Sequence, residues 1–130
     1  YYNVVAEQPN GVMNGLYCLN GIVFPYYDTA SPVEKEWWDS FKNKFDYEPN
    51  TGAAYGYIFA DLFIEAIERA GQDLNIDSFV SALESIVDYA DPLETSTVSF
   101  SETSRQGSNV SYFFQVKDER FEVISGPISY

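Results

Sequence analysis

Cys18 is the one thiol in this 130-residue chain, and no histidine stands beside it or anywhere else. That removes histidine-assisted Ser or Cys catalysis and histidine-ligated metals together. Cys18 sits in the apolar run Leu16-Tyr17-Cys18-Leu19, where a buried structural thiol is expected and no intrachain disulfide can form. Paired-carboxylate hydrolysis would need two acids converging in a cleft, one with its pKa raised. No pair along the chain is placed for that. Asp88, Asp91 and Glu94 lack the alternating spacing and the glycine of a calcium loop, so a solvated acidic loop is expected there. No glycine-rich phosphate loop is present. The expectation is a domain with no catalytic residue, no metal and no cofactor. What remains is recognition chemistry: the rings of Tyr26 and Tyr27, and the backbone amides of Thr51, Gly52 and Ala53.

Charge narrows the partners. Twenty acidic residues against seven basic ones leave a net charge of −13. Such a surface repels phosphate backbones and anionic lipid headgroups, so nucleic acid and membrane surfaces are excluded as partners. Hydrophobic residues make up 45% of the chain and aromatic ones 18%, enough for a sizeable core in a single domain. No apolar run approaches the ~20 residues of a membrane span. No basic stretch followed by an apolar one opens the chain. The start at Tyr1-Tyr2, without Met, leads us to expect a processed chain or a fragment.

The elements that must position the two candidate sites follow from local signals. Pro9-Asn10-Gly11 and Asn14-Gly15 mark turns. Gly21-Ile22-Val23-Phe24 is an unbroken apolar run, the pattern of a strand buried on both faces; Pro25 stops it and Tyr26-Tyr27-Asp28 continues as loop. Ser31-Pro32-Val33-Glu34 combines an N-cap, a proline at the first helical position and a capping-box glutamate, predicting a helix over 32–46. Val33, Trp37, Phe41 and Phe45 recur every four residues and predict one buried stripe. Asn50 or Thr51 caps a second helix, 51–70, which Gly71 ends. Its charges are confined to Asp61, Glu65, Glu68 and Arg69, so it is expected to be the most buried element, with only that stripe in water. A third helix is predicted over 76–87, capped by Asn75, with Ile76, Phe79, Val80, Leu83 and Val87 on one face. From Thr95 the period changes to two. Thr97–Phe100 is expected as a strand, and 109–116 and 120–124 as a hairpin around Lys117-Asp118-Glu119. Asn109-Val110-Ser111 matches a glycosylation sequon but opens an expected strand.

Three of these pieces, in this order, resemble one family: "GIVFPYYDTAS" (21–31), "EPNTGAAYGYIFADLFIEAIERAG" (48–71) and "TVSFSETSRQGSNVSYFFQVKDERFEVI" (97–124). Together they are similar to the C-terminal third of the type I periplasmic solute-binding proteins, in the branch of leucine/isoleucine/valine- and amide-binding receptors of ABC importers. The resemblance implies an α/β chain, part of a two-lobed fold, with three helices, short strands and a C-terminal β-hairpin. It implies that residues 1–130 span parts of both lobes. The N-terminal two-thirds would be absent, so the chain would pack against the missing lobe or another copy of itself.

The implied function is an extracytoplasmic receptor, periplasmic or attached to the cell surface. It would hold an amino acid or a related aromatic or aliphatic acid between lobes that close about a hinge, and would present it to an ABC permease. The alternative keeps the fold and makes it the ligand-sensing domain of a signalling protein. In doubly wound sheets ligands meet the carboxyl ends of strands and the amino ends of helices. Tyr26 and Tyr27 would then either stack on the ligand or pack the hinge. The free amides of Thr51, Gly52 and Ala53 would either take a carboxylate or carbonyl oxygen or simply open a capped helix. Gly52 stands where receptors of this branch carry an aromatic residue. The implied ligand is therefore bulkier than leucine, or aromatic, unless Tyr55 fills the gap.

Overall fold

A computed structural model of the chain describes residues 3–129, which form two compact units. Unit 1 comprises the residues up to Tyr55 together with those from Val110 onward. Unit 2 is the continuous stretch Gly56–Asn109.

Unit 1 opens with a single helical turn, α1 (Asn3–Ala6), and a 3-10 turn at Pro9–Gly11. Its sheet is three-stranded and antiparallel, in the order β1 (Tyr17–Asn20), β4 (Val110–Lys117), β5 (Arg120–Ser129). Cys18 faces Phe114 across the first pair, and Val116 faces Phe121 across the second. The strand expected at 21–24 is not one. β1 lies four residues earlier, and Gly21–Phe24 runs on without a ladder, carrying buried Ile22 and Phe24 into the core. An apolar run reports burial, and burial needs side chains rather than strand pairing.

The hairpin forms where the alternation places it. Asp118 and Glu119 make its two-residue turn, with φ of 48° and 63°. That is the left-handed pair a tight hairpin requires, more often supplied by Asn-Gly. The turn is tied down because Glu119 accepts from the Gly11 N–H at 3.1 Å.

α2 (Pro32–Phe45) begins with the capping box: the Ser31 N–H donates to Glu34 at 2.6 Å, and the Glu34 N–H donates to Ser31 Oγ at 3.3 Å. Its buried stripe is shorter than the periodicity predicts. Trp37 and Trp38 are buried, whereas Val33 and Phe45 at the two ends are about half-exposed, at 47% and 48%. Phe45 instead joins Phe41 and Tyr47 in an aromatic cluster at the C-terminal end.

α3 (Thr51–Ala70) starts in unit 1 and ends in unit 2, with Gly71 in the left-handed region at φ 75°. It is not the most buried element. Ala54, Ile58 and Ala66 are buried, but Tyr57, Phe59, Phe63 and Ile64 are 43–61% exposed. An apolar circumference predicts cover on every side, and among the described residues only one side receives it.

In unit 2, Asn75 caps α4 (Ile76–Glu84), which stops three residues short of the predicted end. Ile76 and Val87, expected on its buried face, are exposed. Phe63 of α3 packs on Phe79 of α4 at 5.3 Å. A two-stranded ladder joins β2 (Tyr89–Ala90) to β3 (Thr97–Val98). The expected strand over 97–100 is cut to two residues because the next amides leave the ladder: Ser99 N–H donates to Gly107 and Phe100 N–H to Ile86.

Candidate functional site

An open cavity of about 480 Å³ lies within unit 1, inside the size range of small-molecule sites. The capping box at Ser31 fixes the start of α2 and so aims Trp38 toward it. The loop residues Tyr26, Tyr27 and Asp28 form one wall, Glu48-Pro49-Asn50 another, and α1 with the residue after it supplies Asn3, Val4 and Glu7. Arg120, the first residue of β5, completes the lining.

Each wall is held by named contacts. The Tyr26 hydroxyl accepts the Phe121 N–H at 2.9 Å, and the Arg120 guanidinium sits over the Tyr26 ring, 5.0 Å from its centroid. Arg120 Nη1 reaches both Asp28 oxygens, at 2.8 and 2.7 Å. Burial pushes the Tyr26 phenol up, the Phe121 N–H draws it down, and the Glu7 carboxylate pushes it up again. Hydrogen bonding from Arg120 holds Asp28 below the usual carboxylate range.

Tyr27 packs edge-on to Trp38 at 5.9 Å, with Lys35 over its ring at 5.8 Å. Trp38 Nε1 donates to Glu48 at 2.6 Å, and Lys42 donates to the other oxygen of the same carboxylate. Glu48 is accordingly kept below its ordinary value, first by Lys42 and then by Trp38. The arrangement can recognise a solute through rings, carboxylates and a guanidinium.

The structure brings Tyr26 and Tyr27 together and leaves Thr51, Gly52 and Ala53 out of this lining. Two of the three amides expected to be free are engaged. The Thr51 N–H donates to Asn3 Oδ1 at 3.0 Å and the Ala53 N–H to Asn50 Oδ1 at 3.1 Å. Thr51 itself is 2% exposed, and its hydroxyl both donates to Asn3 Oδ1 and accepts the Asn3 N–H. This helix end is therefore largely satisfied from within the chain, which reduces its capacity for an anion. Tyr55 directs its hydroxyl to Asn20 at 2.6 Å.

The remaining chemistry is structural. Cys18 is half-buried and burial raises its thiol pKa. Asp91 is not a solvated loop residue. It is 3% exposed, and its carboxylate accepts from the Leu93 N–H at 2.8 Å, the Thr95 hydroxyl at 2.9 Å and Ser96. No cluster of three or more metal-ligating side chains occurs among the described residues.

The sequence pattern of the periplasmic binding proteins matches residues 1–120. The chain belongs to the periplasmic binding protein family. Its fold is similar to solved members. With a leucine binding protein from Thermotoga maritima it shares 19% identity and a TM-score of 0.66, over 95% of this chain and 33% of that one. A branched chain amino acid ABC transporter protein from Thermus thermophilus, solved with bound valine, gives 13% identity and a TM-score of 0.74 over 91% and 34%. A putative branched-chain amino acid ABC transporter protein from Rhodospirillum rubrum gives 22% and 0.66 over 95% and 34%. The chain thus spans about a third of the length of each. No curated protein matches it in sequence. The family and these neighbours are binding proteins rather than enzymes.

Within this periplasmic binding protein, sequence reasoning missed Asn3, Glu7, Trp38, Glu48 and Arg120 as parts of the site. Trp38 carried a signal, lying beside the α2 stripe with a glutamate ten residues on. Asn3 and Arg120 carried none, since their partners are 48 and 92 positions away.

Proposed function

We propose that the chain is the C-terminal portion of an extracytoplasmic solute-binding receptor serving an ABC importer, periplasmic or attached to the cell surface. The ligand is an amino acid or a related small organic acid or amide, held between two lobes that close about a hinge. Tyr26 and Tyr27, together with Gly52 at the start of α3, are the ligand-facing groups that this portion contributes, while the Thr51 and Ala53 amides are already taken by Asn3 and Asn50. The N-terminal lobe and the membrane permease are its partners. The observation that carries the reading is the family match over residues 1–120. The likeness of fold to a leucine binding protein and a branched chain amino acid ABC transporter protein supports it.

The test is calorimetric titration of the complete receptor with leucine, valine and aromatic amino acids. Saturable binding accompanied by contraction in solution scattering is the expected result. If none of these, nor other small organic acids or amides, binds, the reading fails. Gly52→Phe refines the site: it should weaken a bulky ligand and tighten leucine by about 1–3 kcal/mol, the worth of a few methylenes buried on a ring. Unchanged affinities for both would place residue 52 outside the cleft.

A further inference from the structure

The unit 1 cavity is charge-asymmetric in a way that selects among ligands. Three carboxylates line it against one guanidinium. Asp28 is taken by Arg120, and Glu48, at the opposite wall, is taken by Lys42. Glu7 differs: its carboxylate accepts one amide hydrogen from Asn3 at 2.7 Å and pairs with no base among the described residues. The apolar surface is aromatic, from Tyr26, Tyr27 and Trp38, with buried Pro49 at its floor. Two of these rings already hold a cation over a face, Arg120 on Tyr26 and Lys35 on Tyr27. Aromatic faces attract cations through their quadrupole, and a chain of net charge −13 raises the local concentration of positive solutes around it.

We propose that this cavity binds an organic ammonium ion, its alkyl body against the Tyr27 and Trp38 rings and its charge toward Glu7. Every group involved lies in unit 1; the inference shares Tyr27 with the receptor reading, but it rests on the cavity and on Glu7, which that reading does not use, so either can fail without the other. A neutral solute of the same shape would fill the aromatic surface but leave Glu7 unpaired. An anion would face an uncompensated carboxylate. A sugar would use the rings as platforms but gain nothing from Glu7's charge.

Choline is the probe, titrated into the full chain at constant ionic strength and read by the emission of Trp37 and Trp38, the chain's two tryptophans. Its neutral carbon isostere, dimethylbutanol, is the control. Choline should bind saturably and the alcohol roughly tenfold more weakly, the range of a desolvated cation–π contact together with a carboxylate. Glu7→Gln should weaken choline roughly threefold while leaving the alcohol unchanged. Tyr27→Leu should weaken choline roughly threefold to tenfold. Both side chains are exposed, and circular dichroism checks that each variant folds. Equal affinity for choline and the alcohol overturns the proposal without recourse to any variant. So does the absence of a saturable response to choline, tighter binding of methyl glucoside, or undiminished choline binding by Glu7→Gln.

Discussion

Replacing Asn3 with Ala should destabilise unit 1 far more than a polar residue near the start of the chain suggests. Asn3 and Thr51 are 4% and 2% exposed. The Asn3 side-chain oxygen accepts both the Thr51 N–H, at 3.0 Å, and the Thr51 hydroxyl, at 3.2 Å. Truncation to Ala deletes both bonds and leaves a helix N-terminal amide buried without water. An orphaned buried donor costs about 1–3 kcal/mol and a lost neutral hydrogen bond about 1 kcal/mol, so the expected loss is roughly 2–4 kcal/mol. At roughly 4 °C per kcal/mol for a chain of this size, Tm falls by roughly 8–16 °C. Urea unfolding followed by tryptophan emission is the assay, because both tryptophans lie in unit 1. Thr51→Val should cost a similar amount, since it deletes the hydroxyl's bond to Asn3 Oδ1 and orphans the buried Asn3 N–H that the hydroxyl accepts. The double variant should fall short of the sum by about 1–2 kcal/mol, the coupling expected of residues sharing one network. A loss under about 0.5 kcal/mol for Asn3→Ala, or strict additivity in the cycle, would refute the reasoning.

Gly126→Ala should destabilise the hairpin by about 2–4 kcal/mol: φ is 137°, and a Cβ there would lie 2.9 Å from the Tyr112 ring and 3.1 Å from its Cα. Thermal melts of the variant check this, and a shift under 2 °C would contradict it. In unit 2 the Tyr89 hydroxyl donates to Asp61, and that bond, followed by burial, pushes the phenol up to about 12. A phenol whose folded pKa is raised stabilises the fold fully below its unfolded value of about 10 and loses that contribution as pH rises through the folded value. The stability advantage of the native chain over Tyr89→Phe should therefore shrink between pH 10 and 12, as measured by denaturant unfolding across that window. A constant difference across it would count against the assignment.

Local punctuation was legible because its physics acts within about four residues. Ser31 and Glu34 satisfy each other's amides, Asn75 caps α4 and Gly71 ends α3 in a left-handed turn, so helix starts and one helix end were fixed by neighbours. The hairpin was legible for the same reason, with Lys117 and Arg120 closing a two-residue turn. Illegible were features whose cause lies far along the chain. Gly21–Phe24 has the composition of a paired strand, yet the ladder partner of this region, β4, meets Tyr17–Asn20 instead. Asp91 looked like one of three loose acids, because nothing local announces that its carboxylate gathers the Leu93–Ser96 turn. In the site, the adjacency of Tyr26 and Tyr27 was visible, but the clamp from Arg120 and Phe121 was not. The Thr51 amide looked available because its acceptor, Asn3, is remote, whereas the Ala53 amide is taken by Asn50, one of the two caps expected for this helix.

Unit 1 is assembled from two segments that flank unit 2 in the sequence, and that imposes an order on synthesis. β1 is made before β4, and β4 emerges only after all of Gly56–Asn109. Closing a flexible coil of that length costs about 3.5 kcal/mol beyond a constant, by the logarithmic law of loop closure. A unit 2 already folded holds the two ends of the segment at one separation and removes most of that cost in advance. Until Tyr112–Gln115 arrive, the amides and carbonyls of Tyr17–Asn20 present a bare edge bearing Tyr17, Cys18 and Leu19. An unfinished chain therefore carries a sticky strand from the emergence of Asn20 until β4 follows it.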